Sequence, residues 1–330
     1  MALSNLPVGI ADVYAARDRL RSVATVTPVL GHRVLDELCG RPVLCKAECL
    51  QQAGSFKFRG AYNAVAALTG EQRRRGVIGA SSGNHAKALA LAGYLWQVPV
   101  TVVVPQDAPL IKVEVARALG ARVVGYDRVR DDRDRLTVEL ATEHGLTIVP
   151  SADDRNVIAG AATVALEFLT QAPGITAVLV PVGGGGLAAG TAITVGQLAA
   201  HVRVVGVEPE TAADTAASLR AGQRTTLPAV PDTIADGLRH TVPGELPWQI
   251  NRQLLSTVVT VTDAEIRAAM GWALRCLELV VEPSGAVALA AASLLGTAKE
   301  PVGVVISGGS VDADTFARLA TPSWSLAADG

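Results

Sequence analysis

Lys57 sits between Phe56 and Phe58 in GSFKFRGA, residues 54–61, a polar turn that enters a helical pattern. Apolar neighbours strip water from an ammonium group, so the free amine is favoured and becomes available for Schiff-base chemistry. A solvated surface lysine is the plain alternative, since lysines are mostly exposed. In SSGNHAKALA, residues 81–90, Ser81, Ser82, Asn84 and His85 stand where the strand-like run 77–80 turns through Gly83 into a second helical pattern. Two hydroxyls, an amide and the open N–H groups of a helix start suit a carboxylate. An ordinary N-cap by Ser82 or Asn84 accounts for the same residues without a ligand.

The third feature is PVGGGGLAAG, residues 181–190, where an apolar strand pattern opens through Gly183, Gly184, Gly185 and Gly186 into a helical one. Consecutive glycines expose backbone N–H groups at a helix N-terminus, where dipole and unpaired donors favour a phosphate. A flexible turn is one alternative. A dinucleotide fingerprint is another: Gly183, Gly185 and Ala188 fit G-x-G-x-x-A, and Glu208 follows at the spacing of a ribose-binding acid. The loop taken alone does not separate these readings.

The elements that must position these residues follow from periodicity. Short β-branched runs at 100–104, 123–126, 148–150, 177–182, 202–207 and 302–306 alternate with helical patterns at 84–96, 111–119, 155–169 and 263–279. That alternation predicts an α/β fold with a mostly parallel sheet covered on both faces. A chain of 330 residues, 49% hydrophobic, is long enough for two lobes. The charged run RVRDDRDR, residues 128–135, reads as a solvated helix start.

Composition narrows the function classes. A net charge of -2 with both signs interspersed creates no field that gathers nucleic acid or an anionic membrane, which leaves a small molecule as the expected partner. Cys39, Cys45, Cys49 and Cys276 form no CxxC pair and no zinc spacing, so reduced thiols in a cytoplasmic protein are expected. Residues 10–21 are amphipathic and do not resemble a signal peptide. The uncharged stretch 172–200 has the length of a bilayer span, but Pro181 and the glycines break it.

In combination, SFKFRG (55–60), SSGNH (81–85), the four glycines, EPSGA (282–286) and SGG (307–309) occur in the order seen in fold-type II pyridoxal-phosphate enzymes. The chain resembles their serine/threonine dehydratase (ammonia-lyase) and serine racemase branch over residues 10–315 or so. The resemblance implies two α/β lobes with mostly parallel sheets: a large cofactor-binding domain of residues 1–75 and 153–330, and a small mobile domain of residues 76–152. It implies that Lys57 carries pyridoxal 5'-phosphate as a Schiff base and that Gly183, Gly184, Gly185 and Gly186 hold the phosphate. Asn84 is expected at the ring hydroxyl, Phe56 against the ring and Ser307 at the pyridine nitrogen. A neutral hydroxyl at that nitrogen makes the ring a milder electron sink, which favours β-elimination over transamination.

The same resemblance assigns the substrate carboxylate to Ser81, Ser82, Asn84 and His85, with Arg133 and Arg135 both open as helpers. Lys57 then removes the α-proton and the β-hydroxyl leaves, so L-serine or L-threonine yields a 2-oxo acid and ammonia. Ser82 stands where a second acid/base group would face the opposite side of the adduct, which adds serine racemisation as a side activity or as the main one. Glu208, the Ala212 carbonyl and Asp214 match a divalent-cation site for Mg or Ca, a hard-oxygen set for which a solvated loop capped by Asp214 is the alternative. A homodimer is expected. Lys87, Ser151 and Ser310 depart from the usual pattern and bear on substrate preference. A dinucleotide-dependent oxidoreductase leaves SFKFRG and SSGNH unexplained, and a non-catalytic binding protein does not need both Lys57 and Ser82.

Overall fold

The computed structural model describes residues 6–81, 83–106, 110–127, 130–296 and 298–320. Ten strands form two sheets: β1 (Val29–Leu30), β2 (Val43–Ala47), β3 (Val77–Ala80), β4 (Val100–Pro105), β5 (Arg122–Tyr126), β6 (Thr147–Ile148), β7 (Ala177–Pro181), β8 (Arg203–Pro209), β9 (Thr257–Val261) and β10 (Val302–Ile306). One sheet has the order β1-β2-β10-β7-β8-β9 and the other β5-β4-β3-β6. Every strand pairing is parallel except β1 with β2. The fold is therefore α/β with mostly parallel sheets under helices, as periodicity and resemblance both imply.

Parallel strands covered on both faces read as continuous apolar runs, and β4, β7 and β10 are buried at every position. Their side chains alternate between two cores. Val304 and Ile306 pack with the helices Asp263–Leu277 and Pro283–Ala290, whereas Val305 packs with Phe168 and Leu187 on the opposite face. Three strands escape the apolar-run reading, the two-residue β1 being too short to register. In β2 the run VLCKA is interrupted by Lys46, which is buried yet paired with Glu167 at 2.6 Å. β9, TVVTV, lies at a sheet edge and is only partly buried.

Three helices around the lysine pack backbone against backbone. A Cβ on Gly160 would collide with the Arg59 carbonyl and with Gly60, and one on Gly190 would meet Ala162 at 2.7 Å. The lysine helix Lys57–Ala66 is thus locked onto Arg155–Gln171, which in turn is locked onto Gly186–Leu198. A buried charge network adds direction to this packing. Arg59 donates to Glu48 (Nε to Oε2, 2.8 Å) and to Glu167 (Nη1 to Oε1, 2.7 Å), and Lys46 completes a two-plus-two balance. Charges with so little solvent persist only when paired and hydrogen-bonded.

This topology brings the chemistry-bearing segments to one place. β7 ends at Pro181 just before the glycines, β3 at Ala80 just before Ser81, and β10 at Ile306 just before Ser307. Ligands of open α/β sheets bind outside the carboxyl ends of strands, where these three segments lie.

Candidate active site

The lysine turn is fastened to the SGG turn by backbone. Phe56 N–H donates to the Ser307 carbonyl at 3.1 Å, Gly309 N–H donates to the Gly54 carbonyl at 3.0 Å, and Ser55 and Gly308 form an isolated antiparallel bridge. Lys57 is partly buried, its Nζ donates to the Ser151 carbonyl at 2.7 Å, and the same nitrogen lies 5.1 Å from the Phe56 ring centre. Burial pushes its pKa down from the ordinary lysine value to about 8. A neutral carbonyl and a ring face solvate an amine while leaving its lone pair uncommitted to any counter-ion, which is the state a Schiff-base lysine requires.

The glycines occupy a passage that no side chain would fit. A Cβ on Gly184 would meet Ala152 Cβ at 2.9 Å, and one on Gly186 would meet the Ala152 carbonyl at 2.9 Å; Gly185 adopts φ +88°. No acceptor among the described residues takes the N–H of Gly183, Gly184 or Gly185. Buried N–H groups are normally paired, so this row of open donors at the head of a thirteen-residue helix fits a phosphate. The dinucleotide reading loses its acid: Glu208 is fully buried and accepts the N–H groups of Thr215 and Ala216, each at 2.9 Å.

At the start of the helix Asn84–Trp96, Asn84 Nδ2 donates to Glu282 Oε1, while Asn84 Oδ1 is buried without a partner. Ser81 Oγ accepts the Gly83 N–H at 3.1 Å. His85 Nε2 lies 2.9 Å from the Val149 carbonyl; a carbonyl only accepts, so Nε2 carries the proton and the unpartnered Nδ1 is an acceptor. Burial, reinforced by the Lys57 charge, pushes the His85 pKa down to about 4 and keeps the ring neutral. Its backbone N–H, rather than its ring, is therefore what His85 offers a carboxylate. Ser82 lies outside the described residues. Ser307 is buried, with Oγ 3.5 Å from the Ser284 carbonyl, which leaves the hydroxyl weakly held.

A cavity of about 380 Å³ opens beside Ser151 and Gly184 and is lined also by Arg133, Asp153 and His240. The structure separates the two arginines. Arg133 lines the cavity, whereas Arg135 turns away to pair with Glu139 at 2.7 Å on the exposed face. Two residues near the site carry no assignment from sequence. Glu282 sits in the EPSGA motif and holds Asn84; its role needs the fold, because the two are 198 residues apart. His240 stands alone in a loop, and its sequence neighbourhood carries no periodic or motif signal.

The metal-site residues also meet. Glu208 lies in β8, Ala212 is buried in the following turn, and Asp214 opens the helix Asp214–Ala221. Both Asp214 carboxylate oxygens are buried away from any hydrogen-bond donor among the described residues, and burial followed by the neighbouring Glu208 carboxylate pushes its pKa well up. Two adjacent buried carboxylates, each raised in pKa mainly by burial, form a hard-oxygen pair that suits a divalent ion. Among the described residues no group of three His, Cys, Asp or Glu side chains gathers, so carbonyls such as Ala212's and water would complete the shell.

All four cysteines are unpaired and buried, and burial pushes the Cys39 and Cys49 thiols up to about 12, which makes them inert. Among the described residues no helix is long and apolar enough to cross a membrane.

Residues 20–308 match the family model described as "Pyridoxal-phosphate dependent enzyme". The chain is 41% identical to L-threo-3-hydroxyaspartate ammonia-lyase from Pseudomonas sp, over 93% of this chain and 97% of that one. Its fold matches maize serine racemase with a TM-score of 0.90 at 37% identity, covering 94% of this chain and 96% of that one. It also matches the processed form of threonine deaminase isoform 2 from Solanum lycopersicum with a TM-score of 0.88 at 35% identity, covering 94% of this chain and 91% of that one.

Proposed function

The chain belongs to the fold-type II family of pyridoxal-phosphate-dependent enzymes, and on that premise we propose that it is an ammonia-lyase for small L-β-hydroxy amino acids. L-Serine would give pyruvate and L-threonine 2-oxobutanoate, each with ammonia. The relative that acts on L-threo-3-hydroxyaspartate adds that compound to the same class of substrate. The observation that carries this reading is the partly buried Lys57 amine, held by the Ser151 carbonyl beside a row of open glycine N–H donors.

When bound, pyridoxal phosphate supplies an electron sink for the charge left at the substrate Cα. Gly183, Gly184, Gly185 and Gly186 would hold its phosphate, Asn84 its ring hydroxyl, Phe56 one ring face and Ser307 its ring nitrogen. Lys57 both anchors the cofactor and takes the α-proton. With a pKa of about 8, roughly a tenth of it is free amine at pH 7, against well under a hundredth for an ordinary lysine. The N-terminus of the helix Asn84–Trp96, with Ser81, Ser82 and the His85 N–H, receives the α-carboxylate.

Serine racemisation is the side activity of this reading, with Ser82 as the second acid/base group. A Mg or Ca ion at Glu208, Ala212 and Asp214 would relieve the paired carboxylates and stiffen the end of β8. The working form is taken as a cytoplasmic homodimer in which residues 76–152 move against residues 1–75 and 153–330. The test is borohydride reduction of the loaded protein with peptide mapping, alongside assays of 2-oxo acid from L-serine and L-threonine. The adduct is expected on Lys57, and Lys57→Ala should lower elimination by several orders of magnitude. An adduct on another lysine, or none in cofactor-saturated protein, refutes the reading.

A further inference from the structure

Lys87 Nζ donates to Ser310 Oγ at 2.7 Å, a bond that the proposed reaction leaves without a role. The two residues are 223 positions apart, and both stand among the three positions at which the chain departs from the usual family pattern. Lys87 lies in the helix Asn84–Trp96, which follows β3 of the four-stranded sheet, and Ser310 lies just past β10 of the six-stranded sheet. The bond therefore crosses from one sheet unit to the other. A Cβ on Gly54 would lie 3.1 Å from Ser310 Oγ and 3.8 Å from Lys87 Nζ, so the lysine turn reaches the same junction.

The lysine turn and the SGG turn hold each other by backbone hydrogen bonds, from Gly309 N–H to Gly54 and from Phe56 N–H to Ser307. The helix Asn84–Trp96 meets them differently. It packs on the lysine helix Lys57–Ala66 through an apolar cluster that includes Phe58, Tyr62, Ala86 and Leu89. Apolar burial is non-directional, so this contact joins two helices without fixing how far one slides along the other. Side-chain bonds supply that register. Asn84 Nδ2 donates to Glu282 Oε1, and about one turn along, on the same side of the helix, Lys87 donates to Ser310. An ammonium on a neutral hydroxyl is a charge-assisted bond, and both groups are half-buried, where water competes less.

Asn84 stands three residues before Lys87, and Ser307 three before Ser310. Resting on the lyase reading, in which Asn84 meets the ring hydroxyl and Ser307 the ring nitrogen, we propose that Lys87 and Ser310 are a positioning pair that sets the gap between those two contacts across the cofactor ring. Asn84 Oδ1 is buried without a partner and Ser307 Oγ is held only at 3.5 Å, so each is open to a ring atom, and a rigid ring spans one gap only. Neither member of the pair touches the ring in this reading; each acts through the residue three positions before it. The glycine loop is fitted separately, against Ala152, so the phosphate contact does not depend on the pair.

The test measures, by calorimetry on the cofactor-free full chain, binding of 4-deoxypyridoxine 5'-phosphate, a ring analogue that lacks the aldehyde and cannot bond covalently to Lys57. Lys87→Met and Ser310→Ala should each weaken it roughly five- to thirtyfold, part of the worth of one charge-assisted bond. The double variant should bind no more weakly than the weaker single one, because the two substitutions break the same bond. Ser310→Thr keeps the hydroxyl and should bind like the wild type. Inorganic phosphate, the competitor held by the glycines, should keep its affinity in every variant, which a general loosening of the fold would not allow. Additive losses, parallel losses for phosphate and analogue, or single variants within roughly twofold of wild type overturn the pair. If Lys87→Met fails to fold, Ser310→Ala against Ser310→Thr decides, since they differ at one hydroxyl. In the same cofactor-free protein the amides of residues 85–88 should exchange hydrogen faster in both single variants, and no faster again in the double one. A wild type that binds neither the analogue nor pyridoxal phosphate fails the lyase reading separately, and the exchange comparison still decides whether the pair fixes the helix.

Discussion

The charge network behind the lysine helix offers a quantitative test of how Lys57 is held. Arg59 is 1% exposed and makes four hydrogen bonds to carboxylates, two to Glu48 and two to Glu167, between 2.7 and 2.9 Å. Replacing it with methionine keeps most of the volume and removes all four. Glu167 is partly exposed and keeps Lys46 at 2.6 Å, so it tolerates the change. Glu48 bears the consequence: it is 0% solvent-accessible, and among the described residues it keeps a single hydrogen bond, from the Thr27 hydroxyl at 2.6 Å, with Lys46 acting on it only as a nearby charge. One buried carboxylate left uncompensated costs about 3–5 kcal/mol, a large share of the ~5–15 kcal/mol that holds a domain together. Urea denaturation at pH 7 should show a loss of that size in Arg59→Met, and Glu48→Gln added to it should recover a substantial part, because an amide replaces the stranded charge.

The pH dependence has a defined sign. Burial alone would raise the Glu48 pKa, but the Arg59 charge and hydrogen bonds outweigh it and hold the carboxyl below its usual range. A depressed carboxyl stabilises the fold above its unfolded pKa and loses that contribution as pH falls through the folded one. The gap between wild type and Arg59→Met should therefore narrow as pH drops below the ordinary glutamate range. A cost under about 1 kcal/mol in Arg59→Met, or no recovery from Glu48→Gln, would refute this account of the network.

Three further outcomes are expected. In cofactor-free protein an amine-acylating reagent should label Lys57 with a midpoint near pH 8, measured by peptide mass, while exposed lysines react only at higher pH; a midpoint near that of an ordinary lysine contradicts the desolvation argument. Exhaustive chelation should lower the melting temperature and the activity, and Mg or Ca should restore both, since an ion bound only by the folded state stabilises it; no response removes the cation from Glu208 and Asp214. Ser82→Ala should depress racemisation and D-serine elimination far more than L-serine elimination, followed by chiral chromatography and 2-oxo acid release. Equal losses with both enantiomers would assign Ser82 to binding instead of proton transfer.

Residue types and spacing were enough for the local part of this molecule. A lysine between aromatics, glycines after an apolar strand and a Ser-Gly-Asn turn before a helix are each written within a short segment, because turn and helix-start chemistry is local. The α/β class was equally legible, since buried parallel strands carry no polar alternation. β2 was hidden because Lys46 breaks its apolar run, and its partner Glu167 is 121 residues away. Distances of that kind separate the rest. The Ser151 carbonyl that holds Lys57 is 94 residues on, and the Glu282 that holds Asn84 is 198 residues on. Arg133 and Arg135 are equivalent as residues in a charged run, and only the turn of the helix that Asp132 caps sends one to the cavity and the other to Glu139. His240 acquires its place against Gly183 and Gly184 from the order of strands in the sheet, which sets which loops share a carboxyl end and which no local pattern records.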